Sequence, residues 1–187
     1  LCIPIADHFR VLSDIDTVVA PAVGAIAICR AAAEYLTNIL DVPVWAVYAE
    51  RSESILISGP TDGQVAKVEV SLRELCFQGS EKSVPLCKGQ EIILKDSTFG
   101  IRRGQEKYVK DKNILVVEDI ITTGGSVKKV IDAVCKAGGK VIGVGCFVNR
   151  GGVKADELGV ASLFSLVNMD FQAWPKNECP LCVEEIP

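Results

Sequence analysis

The stretch that most restricts the fold is NILVVEDIITTGGSVKKVIDAV, Asn113 to Val134. Ile114 to Val117 are apolar without interruption and run straight into Glu118 and Asp119, then Thr122, Thr123, Gly124, Gly125 and Ser126. An unbroken apolar run suits a strand covered on both faces, as in a parallel sheet with helices on either side. From about Gly125, Val127, Val130, Ile131 and Val134 recur at helical spacing, and the glycines of AGG, Ala137 to Gly139, stop that helix. The segment therefore predicts strand, turn and helix.

The rest of the chain repeats that grammar. DTVVA, Asp16 to Ala20, reads as a buried strand; PAVGA turns into an Ala-rich helix ending at Leu40; VPVWAVYA, Val42 to Ala49, reads as the next strand. KVIGVGCFVN is a further buried strand, VKADELG a short helix and SLFSLVNM the last strand. Strands alternating with helices predict an α/β fold, three-layer and Rossmann-like, with a mostly parallel sheet. Residues 52–97 break the pattern: turn-rich SGPTDGQ, FQGSEKS and LCKGQ separate the strand-like VAKVEVSL and EIILK. A hairpin or a lid over a site is the expectation there. At 187 residues the chain has the size of one domain, so residues 1–187 are expected to form a single domain carrying that excursion.

Composition narrows the partners. The net charge is −4, which offers nucleic acid or an anionic membrane surface no general attraction. No apolar run reaches the length of a membrane span. Eight cysteines lie partly within strand and helix patterns, so reduced thiols in a cytoplasm are expected. CPLC, Cys179 to Cys182, has the spacing of half a zinc site, with Cys76 and Cys87 the only loosely spaced complement; a local turn is the preferred reading. The single histidine, His8 in IADHFR, removes support for His-based triads and multi-histidine metal sites. Trp45 and Trp174 read as core or interface residues.

Ligands of parallel sheets bind beyond the carboxyl ends of the strands, where Glu118 and Asp119 stand. Neighbouring residues of a strand point to opposite faces, so at least one acid is desolvated and calls for a partner such as a ligand hydroxyl or a metal. TTGGS then opens a helix, whose free N–H groups and dipole suit a phosphate. Acids for a diol beside a cradle for an anion suit a ribose 5-phosphate. Neither a Walker lysine nor GxGxxG is present. APAVGA, Ala20 to Ala25, is a second strand-to-helix turn fit for another anion, and Arg51, Arg102 and Arg103 are suited to clamp phosphate oxygens.

ILVVEDIITTGGS, Ile114 to Ser126, resembles the phosphoribosyl-pyrophosphate (PRPP) signature of the type I phosphoribosyltransferases. VVAPAVGAI, RRGQEKYVKDKN, NRGG and ECPLC extend the resemblance over residues 16–50 and 99–187, in an arrangement similar to the orotate phosphoribosyltransferase-like group. The resemblance implies the type I phosphoribosyltransferase fold and transfer of 5-phosphoribosyl from PRPP to a nucleobase, orotate or a similar pyrimidine, with release of pyrophosphate. It also implies Mg²⁺ as cofactor, with no protein residue assigned as metal ligand, and a homodimer. By it Glu118, Asp119 and Arg102 are the catalytic candidates. Glu118, Asp119, Ile120, Thr122, Thr123, Gly124, Gly125 and Ser126 take the ribose and its 5-phosphate. Ala22, Val23, Gly24 and Ala25, with Arg51 and Arg103, take the pyrophosphate. Two departures stand out: Ala25 where relatives often carry a second glycine, and AERSES, Ala49 to Ser54, where users of orotate usually carry a lysine-rich loop with a histidine. A PRPP-binding regulator or inactive relative of the same fold is the alternative. On the cradle reading, Gly124→Val is expected to weaken PRPP binding far more than it lowers fold stability.

Overall fold

The computed structural model describes residues 2–12, 14–58, 66–70 and 91–169, with 171, 174, 178 and 180; over 52–58, 66–70 and 91–97 the description is of the backbone. Cys76, Cys87, Cys179 and Cys182, on which the zinc question turns, lie outside the described residues.

The strands are β1 (Thr17–Pro21), β2 (Trp45–Ser58), β3 (Ala66–Val70), β4 (Glu91–Gly100), β5 (Asn113–Ile121), β6 (Lys140–Asn149) and β7 (Leu163–Asn168). The helices are α1 (Cys2–Arg10), α2 (Ile26–Leu40), α3 (Gly125–Lys136) and the single turn α4 (Ala155–Leu158). β2, β1, β5, β6 and β7 lie side by side, every neighbouring pair parallel. The expected α/β sheet is thus present, with β5 at its centre.

β2 was expected to stop near Ala49 and instead runs to Ser58. Its first five residues pair with β1; beyond them Ser54 to Ile57 bond β3 on one edge and β4 on the other, both antiparallel. Those partners satisfy the backbone polar groups that would otherwise end the strand. β4 likewise outruns EIILK to reach Gly100, because Glu50, Arg51 and Ser52 pair with Gly100, Phe99 and Thr98.

The pleat divides the core in two. Leu115 and Val117 of β5 pack with α1 and α2, whereas Ile114 and Val116 pack with α3 and α4. α2 sits close to the sheet because Ala32 and Ala33 are small and buried. On the same face α1 lies close to β6 because the small residues there are in the sheet: a Cβ on Gly143 or Gly145 would occupy the space taken by Phe9 and Ile5. His8 stacks on Phe164 of β7 with ring centroids 4.4 Å apart, a structural role. Neither tryptophan is a core residue. Trp45 and Trp174 are each 46% exposed, and Trp45 lies on Tyr108 because it begins β2 at the edge of the α3-side core. No described helix is long and apolar enough to cross a membrane.

Candidate functional site

Extending the β5 alternation by one step places Glu118 on the α3 face and Asp119 on the α2 face, so the two acids leave the strand in opposite directions. Glu118 is 6% exposed and its Oε1 accepts the Asp119 N–H at 3.1 Å. Asp119 is half-buried, and its Oδ1 accepts the Ile120 N–H at 2.7 Å. Among the described residues no cation pairs with either acid. Burial, reinforced by the hydrogen bond to the Asp119 side chain, pushes the Glu118 carboxyl up to about 8. The same burial pushes the thiol of Cys146, its register partner on β6, up to about 12.

On the α2 side the Ala22–Gly24 turn closes on Asp119: a Cβ on Gly24 would lie 2.7 Å from Asp119 Oδ2. A side chain there would have to push the Asp119 carboxylate aside. Ala25 is fully buried and holds an ordinary φ of −91° at the N-cap of α2, so alanine in place of a second glycine is accommodated without strain. Pro21, Ala22, Gly24, Arg51, Phe99, Glu118, Asp119, Ile120 and Ser126 border one cavity of about 280 Å³. Val23 stands at the tip of the turn, 80% exposed, outside that lining.

On the α3 side Thr122 to Val127 wrap a smaller cavity of about 50 Å³. The N-terminus of α3 has no side-chain cap; the first helical bond is Lys128 N–H to the Gly124 carbonyl, and only Gly125 N–H finds a weak partner, Thr123 Oγ1 at 3.4 Å. The Ser126 and Val127 N–H groups are the orphan donors of a helix start. Gly124 turns the chain with φ +73°, and a Cβ there would come within 2.8 Å of Leu158 Cδ2. The expected tolerance of the fold to Gly124→Val is therefore corrected: the position faces packed side chains as well as the turn.

A brace that sequence reasoning missed holds this turn. Asn149, buried at the end of β6, donates from Nδ2 to the Val153 carbonyl at 2.8 Å and accepts the Val153 N–H at 3.0 Å. That clamp folds NRGG so that Val153 contacts Gly124 and Gly151 lies against the Thr122 carbonyl with no room for a side chain. Arg150 follows at the same rim, its N–H donated to the Ile121 carbonyl at 2.8 Å. The asparagine and double glycine were visible in the sequence as a motif, but their target across the sheet was not.

The three arginines separate. Arg51 borders the larger cavity, where β2 leaves β1. Arg103 Nε instead pairs with Glu50 Oε1 at 2.7 Å, and Arg102 folds back over Gly100, its Nε 3.3 Å from the place a Cβ there would take. Neither lines the two cavities around the acids.

Known proteins resemble this chain in sequence and fold. The profile of the phosphoribosyl transferase domain matches residues 10–181. An orotate phosphoribosyltransferase of Chlorobium phaeobacteroides (strain BS1) is 42% identical over 154 residues, covering 82% of this chain and 72% of that protein. One of Caldanaerobacter subterraneus subsp. tengcongensis is 48% identical over 93 residues, covering 50% of this chain and 47% of that one. The chain spans about half the length of most of the curated relatives it matches. Among solved structures, the adenine phosphoribosyltransferase of Thermoanaerobacter pseudethanolicus has the same fold, with a TM-score of 0.53 at 15% identity over 90% of this chain and 78% of that one. With the match running through nearly every element that builds the two cavities, the chain belongs to the phosphoribosyl transferase domain family, as a type I member of the orotate-like group.

Proposed function

We propose that this chain transfers the 5-phosphoribosyl group of PRPP to a pyrimidine base, orotate first among them, and releases pyrophosphate. One observation supports the reading above all others: the two turns meet at the acid pair, the Gly24 backbone closing on Asp119 and the uncapped start of α3 wrapping a cavity that Glu118 lines, while Ser126 shares the larger cavity with both acids. The substrate offers a matching order of groups, diphosphate, ribose hydroxyls and 5-phosphate. Relatives whose name is orotate phosphoribosyltransferase supply the choice of base.

In this reading the 5-phosphate accepts hydrogen bonds from the Ser126 and Val127 N–H groups, aided by the α3 dipole. Ribose hydroxyls bond the two acids. The C1–oxygen bond to the diphosphate breaks as a base ring nitrogen bonds C1, and that nitrogen's proton passes to solvent. Charge develops on the departing diphosphate, toward which the Ala22–Gly24 backbone and Arg51 are arranged. Charge neutralisation of the diphosphate is what Mg²⁺ supplies when bound, and the oxygens of PRPP itself suit its preference. The β2–β3–β4 arm that carries Arg51 is assigned the role of lid, excluding water from the activated sugar.

The test is pyrophosphate release from PRPP and Mg²⁺ with a panel of nucleobases. Turnover with orotate is expected. Turnover with a purine alone replaces the base assignment, PRPP binding without turnover on any base makes the chain a PRPP-binding regulator, and failure to bind PRPP removes the reading.

A further inference from the structure

We propose that Glu118 holds the ribose of PRPP as a neutral carboxylic acid, donating its own proton to a ribose hydroxyl oxygen, while Asp119 accepts from the diol as a carboxylate. The inference rests on the phosphoribosyl reading and adds the protonation state that makes the acid pair work.

The geometry carries it. Glu118 projects to the α3 face, the face of Ile114, Val116, Val127 and Cys146, and is almost wholly buried there. Its hydrogen bonds are one accepted from the Asp119 N–H and one shared with the Asp119 side chain, which favours the protonated form, whereas a buried carboxylate needs several donors or a cation to remain charged. A negative charge on the adjacent, better exposed Asp119 disfavours a second one at Glu118. Among the described residues the titratable and charged groups around Glu118 are Asp119 on β5, Cys146 in register on β6, and Arg51 across the larger cavity on β2. The α3 turn facing it, Gly125 to Val127, carries no ionisable group. Cys146 is itself held neutral by burial. Two carboxylates could only accept from a vicinal diol; one acid and one carboxylate let the diol both donate and accept.

PRPP affinity is measured calorimetrically from about pH 7.5 to about pH 9.5, above the second phosphate ionisation near 6, so the ligand's charge is constant. Wild-type affinity is expected to fall about tenfold per pH unit once Glu118 ionises, as the loss of one required proton demands. Glu118→Gln, which cannot ionise, is expected to lack that fall. Wild-type affinity that is flat across the range, with the variant weaker by one constant factor, overturns the proposal and leaves the phosphoribosyl reading standing. Infrared difference spectra of wild type against Glu118→Gln, without PRPP, read the same state directly. A protonated-carboxyl carbonyl band at neutral pH that disappears in alkali supports the proposal, and its absence at neutral pH overturns it. If the band is present but PRPP binds at no pH, the ribose partner is overturned together with the phosphoribosyl reading.

Discussion

Gly124→Ala separates what the turn before α3 does for the fold from what it is proposed to do for a ligand. The substitution adds one methyl group at φ +73°, within 2.8 Å of Leu158 Cδ2 and 3.4 Å of Val153 Cγ1. Holding a non-glycine residue in the left-handed region costs about 1–2 kcal/mol. Forcing a methyl against the buried Leu158 adds an overpacking cost of about 1–3 kcal/mol. A loss of about 2–5 kcal/mol is expected, read in urea as a lower midpoint at unchanged slope. Leu158→Ala alone is expected to cost about 2–5 kcal/mol, the range for a buried leucine. In the double variant the atom that the added methyl would meet is gone, so only the backbone cost should remain. The pair should therefore be more stable than additivity requires by about 1–3 kcal/mol. Costs that add to within about 0.5 kcal/mol would show that Leu158 does not fill the space beside Gly124 and would refute the reasoning.

Gly125→Ala is the cleaner probe of the cradle: its Cβ would meet only Thr123 Oγ1 at 3.5 Å. Stability should change by less than about 1 kcal/mol while PRPP affinity falls by about tenfold or more; unchanged affinity in calorimetry counts against phosphate binding there. Stability should also depend on pH through Glu118, whose carboxyl rises from 4.5 to about 8 on folding. The native state then holds a proton that the unfolded chain releases, so the contribution is complete below about pH 4.5, declines at up to about 1.4 kcal/mol per unit, and is gone above the folded value. Glu118→Gln should lack this decline, and parallel unfolding profiles for the two proteins between acid and alkaline pH would contradict it. Gly145→Ala should drive a methyl into Ile5 and lift α1 from β6, costing about 1–3 kcal/mol. An unshifted thermal midpoint would mean that α1 does not rest on that glycine.

Much of the site was legible because its signals are local. The apolar run of β5, the helical spacing after Gly125 and the opposed directions of Glu118 and Asp119 follow from strand and helix periods alone. The length of β2 was not legible, since its far half persists through hydrogen bonds to β3 and β4. Arg103 looked like a phosphate clamp by residue type, but the β2–β4 register brings Glu50 to it. Gly124 and Gly24 looked alike as loop glycines and differ in what surrounds them: one faces Leu158, the other the Asp119 carboxylate.

The sequence by itself determined the alternating α/β order, the strand end that carries two acids and the turn that opens a helix behind them, because each depends on residues within a few positions of one another. Only the tertiary structure decided that the Ala22–Gly24 turn meets Asp119, that Asn149 clamps NRGG beneath the turn before α3, and which arginine reaches the cavity. Those relations depend on sheet order and register, which bring together side chains that no local pattern links.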